Sequence, residues 1–259
     1  MSFLPLPGVV PLTAPLGFRF EDGCYGPTPE VRRLDAIRPS LLDPHCAGPD
    51  PVYAIAMDVG RAERRAAFVE RMLLFGVVTY AAGRLGAEPV RSQGHVHRVS
   101  RHSGWSPPEV YEIWSGAAYV LMQERAADDP GRSFAIHARP GEIVIVPPGW
   151  AHATISADPS TPMTFGALCD REYGFEYEAV RARKGLAWYP TLDGSGEIGW
   201  LANPRYRTGK LEVRGPGDYA RFGIARGASL YAQASADPDR FRWVSKPALA
   251  AELWKEFTP

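Results

Sequence analysis

Glycine and proline, 26 and 25 in 259 residues, fall between short apolar runs along most of this chain. Proline cannot donate to a sheet ladder, and glycine frees the backbone for tight turns. Such punctuation favours many short strands joined by corners, as in a sandwich or barrel. The tightest case is "PGEIVIVPPGWAHA", from Pro140 to Ala153. Gly141 opens a turn, Glu142 to Val146 reads as a buried strand, and Pro147, Pro148 and Gly149 force a corner that sets His152 at the start of the next strand.

The same reasoning places strands near Val52–Val59, Leu73–Ala81, Glu109–Trp114, Ala118–Gln123, Ser133–Ala138, Glu142–Val146, His152–Ser156, Met163–Leu168 and Phe175–Val180. "DGSG" at Asp193 is a hairpin turn between "LAWYPTL" and "EIGWLA". A helix is expected in "RAERRAAFVERML" at Arg61, where Ala62, Ala66, Val69 and Met72 share helical spacing. A second helix is expected in "KPALAAELWKEF", with Ser245 as its cap and Pro247 in its first turn. The reading is a mainly β chain with a few peripheral helices, a single domain over 1–259 with its core at about 50–182. The N-terminal strands and the segment after about Thr208 would pack on that core.

Chemistry concentrates in "QGHVHRVSRHSGWSPPEVYEIWSG", Gln93 to Gly116. Residues two apart on a strand point to one face, so His95 and His97 can grip one ion, or can simply be polar residues on a wet face. Glu109 and His152 turn that pair into a sensible set for a divalent transition metal such as Fe, Mn, Ni, Zn or Cu, with positions left for substrate. His102 and His137 suit surface or core-edge roles better. Arg91, Arg98 and Arg101 flank the histidines and could meet an anionic group; Arg91 keeps strand parity with His95 and His97. Trp105 could act as a lid, whereas Trp150 suits core packing.

These motifs resemble the cupin superfamily. His95, His97, Glu109 and Gly116 match its first motif; Gly141, Pro147, Gly149 and His152 match its second, with Ser156 where asparagine is usual. Over Phe18 to about Arg207 the chain is similar to the cupin-type glucose-6-phosphate isomerases, through "VRRL", "DPVYAI", "GHVH", "PEVYEIWSGAAYVLMQ", "PGEIVIVPPGWAHA", "YGFEYEAV" and "NPRY". The resemblance implies a jelly-roll barrel (double-stranded β-helix), a homodimer, and a metal held by His95, His97, Glu109 and His152 beside an open-chain sugar phosphate. It implies isomerisation of aldose to ketose through a metal-stabilised enediolate, or by hydride transfer, with Glu109, Tyr111 or Tyr177 moving the proton. Val78, Gly94, Arg91, Cys169 and Phe175 would line the substrate pocket. Val78 replaces a family threonine, Cys169 a tyrosine and Phe175 a histidine, and "RVSRHSGWSP" lengthens the gap between His97 and Glu109. The pocket is therefore divergent, and poor activity on glucose 6-phosphate is expected. The alternatives are a non-isomerase cupin (oxygenase, lyase or dehydratase) acting on a non-phosphorylated substrate, or a non-catalytic metal- or sugar-binding cupin.

Composition narrows the partners. Lys+Arg and Asp+Glu are 29 each, so nothing suggests nucleic acid or a membrane surface; a small-molecule substrate is expected. Cys24, Cys46 and Cys169 show no C-x-x-C spacing, which fits a reducing cytoplasm. "MSFLPLPGVVPL" is too short and too broken by proline to span a bilayer, and has no basic leader.

Overall fold

The computed structural model describes residues 5–207 and 209–259; the first four residues of the apolar N-terminal stretch and Thr208 lie outside them. The chain forms the mainly β cupin barrel expected from its motifs. Six strands make one antiparallel sheet in the order Ile143–Val146, Glu109–Ser115, Met163–Asp170, Leu73–Tyr80, Tyr53–Met57 and Glu30–Arg32. A facing sheet runs Ala151–Ser156, Ala118–Gln123, Ser133–Ala138 and Leu211–Arg214, with only the last pair parallel.

Alternation along each strand decides what enters the barrel. Tyr111 and Ile113, Val78 and Tyr80, Phe165 and Cys169, and Val120 and Met122 point inward into one shared core. Their neighbours Val110, Trp114, Phe75, Val77 and Leu168 point outward and are buried just as fully. Burial of both faces explains why Leu73–Tyr80 and Met163–Asp170 are buried at every position and are mostly apolar instead of alternating.

The C-terminal segment supplies the outer cover. Leu211–Arg214 extends the smaller sheet, and Tyr219, Phe222, Leu230, Tyr231, Phe241 and Trp243 then pack on the outward face of the larger one. Glu112 is buried beneath this layer, where its Oε1 accepts the Leu230 N–H at 2.9 Å.

Three local expectations change. Phe175–Val180 is not one strand: Phe175–Glu176 pairs only with Val96–His97, and Glu178–Ala182 is helical. The partner strand is two residues long, and Glu178, Ala179, Arg181 and Ala182 include good helix formers. The segment at Arg61 forms a 3₁₀ turn, Ala62–Arg64, and a short helix, Arg65–Glu70. Its buried residue is Phe68, while Ala62, Ala66 and Val69 face solvent, so the four-residue apolar stripe is not the packed face. Ser245 caps nothing. It ends the helix Arg242–Ser245 and its hydroxyl donates to the Arg71 carbonyl at 2.6 Å; Pro247 does begin the next turn, Pro247–Ala250. The hairpin at Asp193 joins Trp188–Leu192 to Ile198–Ala202, with Asp193 Oδ1 accepting from the Ser195 and Glu197 amides.

Candidate metal centre

Strand parity carries Glu109 and Tyr111 into the barrel from the larger sheet, and His152 and Thr154 from the smaller. His95 sits opposite His152 in an isolated bridge, with amide–carbonyl bonds of 3.0 and 2.9 Å in the two directions. Gly94, at φ +85°, supplies the turn that presents His95; a side chain there would also press on Leu186. One donor atom from each of His95, His97, Glu109 and His152 lies within 4.8 Å of the others.

Hydrogen bonds behind the rings decide which nitrogens face the centre. His97 Nδ1 lies 2.9 Å from the Pro107 carbonyl and His152 Nδ1 lies 3.1 Å from the Trp150 carbonyl. A carbonyl only accepts, so both Nδ1 atoms carry the proton and both Nε2 lone pairs are left for the cluster. His95 Nε2 and His152 Nε2 are buried without a hydrogen-bond partner. Three imidazoles, two of them with an unpartnered Nε2, and one carboxylate suit a divalent cation, and the four can hold one.

Glu109 is clamped on both oxygens. Tyr111 donates to Oε2 at 2.5 Å and the Cys169 thiol donates to Oε1 at 2.9 Å. Its Oε2 is 3.2 Å from His97 Nε2 and 3.5 Å from His152 Nε2. Burial alone would raise the Glu109 carboxyl, but the facing His152 and His97 rings outweigh it and hold the group well below the ordinary carboxylate range. Burial, then its two histidine neighbours, drive His95 well below the usual histidine range, so its ring is neutral. Burial and the Glu109 charge push the Tyr111 hydroxyl and the Cys169 thiol well up, so both remain donors.

A narrow cavity, partly open to solvent, leads to the cluster. Ile55, Met57, Val78, Phe165 and Phe175 form its apolar wall. Phe175 sets its ring edge-on to His95, with centroids 4.5 Å apart. Tyr177 lies on the same side, under the Arg181 guanidinium. Cys169 touches Glu109 from behind instead of facing the cavity, and Gly94 does not line it.

The flanking arginines are elsewhere. Arg91 is buried against Glu88 at 2.7 Å and donates to the Ser40 and Ser92 carbonyls. Only isolated bridges join 91 and 95 to their neighbours, so strand parity does not carry between them. Arg98 covers Gly174 and Arg101 is exposed. Trp105 does not reach the cavity either. The inserted loop acts as a support for His97: Ser106 donates to its carbonyl at 2.5 Å and Pro107 holds its ring. His102 is exposed, and His137 stacks on Tyr119 on the outer side of the barrel.

Composition and spacing missed Arg32, Tyr53, Ser92, Gln93 and Thr154, all of which line the cavity. Arg32 and Tyr53 lie within "VRRL" and "DPVYAI", so the signal was present without an assigned role.

Barrel and cluster together define a cupin with four convergent side chains that could hold a metal. A family model described as glucose-6-phosphate isomerase (GPI) matches residues 41–207, more than half of the chain. The chain belongs to that family. It is 29% identical over 201 residues to the glucose-6-phosphate isomerase of Pyrococcus horikoshii, covering 74% of this chain and 97% of the relative. The Pyrococcus furiosus enzyme of the same name is 28% identical over 194 residues, 73% and 94% of the two chains. Among solved structures, oxalate decarboxylase from Bacillus subtilis is similar at a TM-score of 0.32 and 16% identity, over 48% of this chain and 27% of that one, too distant to bear on chemistry.

Proposed function

We propose that this protein is a metal-dependent aldose–ketose isomerase whose substrate is a relative of the sugar phosphates with a different anionic end. The single observation behind the reading is the set of four convergent donors beside the cavity, in a chain of this family. One divalent transition metal held by His95, His97, Glu109 and His152 would polarise neighbouring hydroxyl and carbonyl oxygens and stabilise the charge that develops when the carbon beside them loses its proton.

The chain's own groups do the rest. Glu109 Oε2 takes the proton from the carbon bearing the hydroxyl and returns it to the neighbouring carbon, while the Tyr111 hydroxyl at 2.5 Å keeps that oxygen oriented. The Tyr177 hydroxyl, raised by burial, stays protonated and donates to a substrate oxygen. Ile55, Val78, Phe165 and Phe175 exclude water from the reacting carbons. The test is a panel of sugar phosphates and sugar acids incubated with metal-loaded and chelator-stripped protein, with aldose and ketose resolved by chromatography. Interconversion confined to the loaded protein supports the reading; none across the panel removes it.

A further inference from the structure

Two buried donors face the same cavity with nothing to bond. Arg32 Nε and Gln93 Nε2 are both without a hydrogen-bond partner, and both side chains line the cavity that leads to His95. A buried donor that no protein group satisfies is open to a ligand, and two such donors line this one cavity. Gln93 is 1% exposed, and its amide orientation is set from behind. Arg181 Nε donates to Gln93 Oε1 at 2.8 Å, which turns the NH₂ end away from that guanidinium. Arg32 is carried to the cavity by the edge strand Glu30–Arg32, which pairs with Tyr53–Ile55. Among the described residues lining the cavity it is the one permanently cationic side chain.

The charge supply separates two kinds of anion. Arg32 Nη2 already pairs with Glu30 Oε1 at 2.8 Å, and Glu30 is 62% exposed, so solvent screens part of that pair. What remains for a ligand is a guanidinium whose charge is shared with Glu30, its unpaired Nε–H, and one amide NH₂. A planar monoanion with two acceptor oxygens matches that charge and the flat guanidinium edge; a phosphate dianion asks for more positive charge than one shared guanidinium supplies. We propose that the substrate end away from the metal is a carboxylate, held by Arg32 and Gln93, so that the substrate is a sugar acid. This rests on the metal-dependent reading above, because the cluster is needed to hold the opposite end.

Three ligands with a common α-hydroxy-carboxylate head test it on manganese-loaded protein: gluconate, glucarate and 6-phosphogluconate. Calorimetry gives the affinities, and the manganese paramagnetic resonance spectrum reports whether the head reaches the metal. Glucarate should bind about tenfold or more tighter than gluconate, the scale of one charge-assisted bond. Arg32→Met and, separately, Gln93→Leu should remove that preference while gluconate affinity stays within about twofold; the two variants keep the test open if one fails to fold. Glucarate no tighter than gluconate overturns the inference but leaves the metal reading standing, provided gluconate still alters the spectrum. Equal losses for both ligands in the variants, or tightest binding by 6-phosphogluconate, also overturn it. Spectra unchanged by all three ligands defeat the metal reading itself, and this inference with it.

Discussion

The Cys169 thiol donates to Glu109 Oε1 at 2.9 Å while the Tyr111 hydroxyl holds Oε2 at 2.5 Å, so the one carboxylate of the four-residue cluster is fixed by one partner on each oxygen. Both partners lie on inward positions of adjacent strands, with Tyr111 directly opposite Ala167, two residues before Cys169. Cys169→Ala leaves Oε1 buried with no donor. Supporting partners of this kind are worth roughly 10–100-fold in metal affinity. Manganese titration should show a loss of that size for Cys169→Ala and recovery in Cys169→Ser, which restores a donor of similar size. An alanine variant that binds metal as tightly as the parent excludes the clamp.

One divalent metal per chain is expected in the loaded protein, and His97→Ala should lose most of it. The His97 ring is aimed by Pro107 behind it and faces Glu109 in front, so alanine removes a donor that no neighbour replaces. Elemental analysis after dialysis reads this directly. Equal metal in parent and variant means that the cation binds elsewhere.

The cluster was legible in the sequence because two short motifs fix its spacing and strand parity fixes its facing. Glu109 and Tyr111 share a face, as do His152 and Thr154, and all four line or touch the centre. Arg32 was not legible, since its place depends on an edge strand pairing across twenty residues of intervening chain. Arg91 misled for the opposite reason: parity was assumed through Ser92 to Gly94, where the backbone makes isolated bridges and turns at a positive φ. The outer layer formed by Tyr219, Phe222 and Trp243 was expected only as a packed tail, because short helices after a weakly patterned segment do not announce which sheet face they cover.

Glu109→Gln should lower turnover by about two to four orders of magnitude in protein that is fully metallated. The amide can still accept from Tyr111 at its oxygen, so geometry is largely kept while the proton acceptor is lost. Turnover equal to the parent would falsify proton transfer at Glu109 and point to another group, such as Tyr177.

Glu112 gives a pH dependence of stability. Burial is the main cause that pushes its carboxyl from an ordinary 4.5 to about 7, with the Leu230 amide pulling the other way. The folded protein therefore holds a proton that the unfolded chain releases above its ordinary range. Stability is greatest below that range, falls as pH rises toward 7, and is flat above, with a loss of at most about 3 kcal/mol. Glu112→Gln keeps an acceptor for Leu230 and removes the titration. In urea unfolding the variant should gain on the parent between pH 5 and pH 8; a constant difference between the two at both pH values rules Glu112 out.

Glucose 6-phosphate should be a poor substrate. A phosphate dianion needs several donors, and each charge-assisted bond contributes about 1.5–3 kcal/mol. At three positions where the resemblance places hydroxyls or an imidazole, this chain has Val78 in the apolar wall, Cys169 committed to Glu109, and Phe175 packed on His95. None of Arg91, Arg98 and Arg101 lines the cavity, which leaves Arg32, already shared with Glu30. Two lost donors reduce specificity by several orders of magnitude where nothing replaces them. A coupled assay on fructose 6-phosphate with metal-loaded enzyme measures this, and the expected kcat/KM is below about 10⁴ M⁻¹s⁻¹, the lower end of the usual enzyme range. A value above that would return the phosphate to the cavity and make Arg32 and Gln93 its holders instead of a carboxylate's.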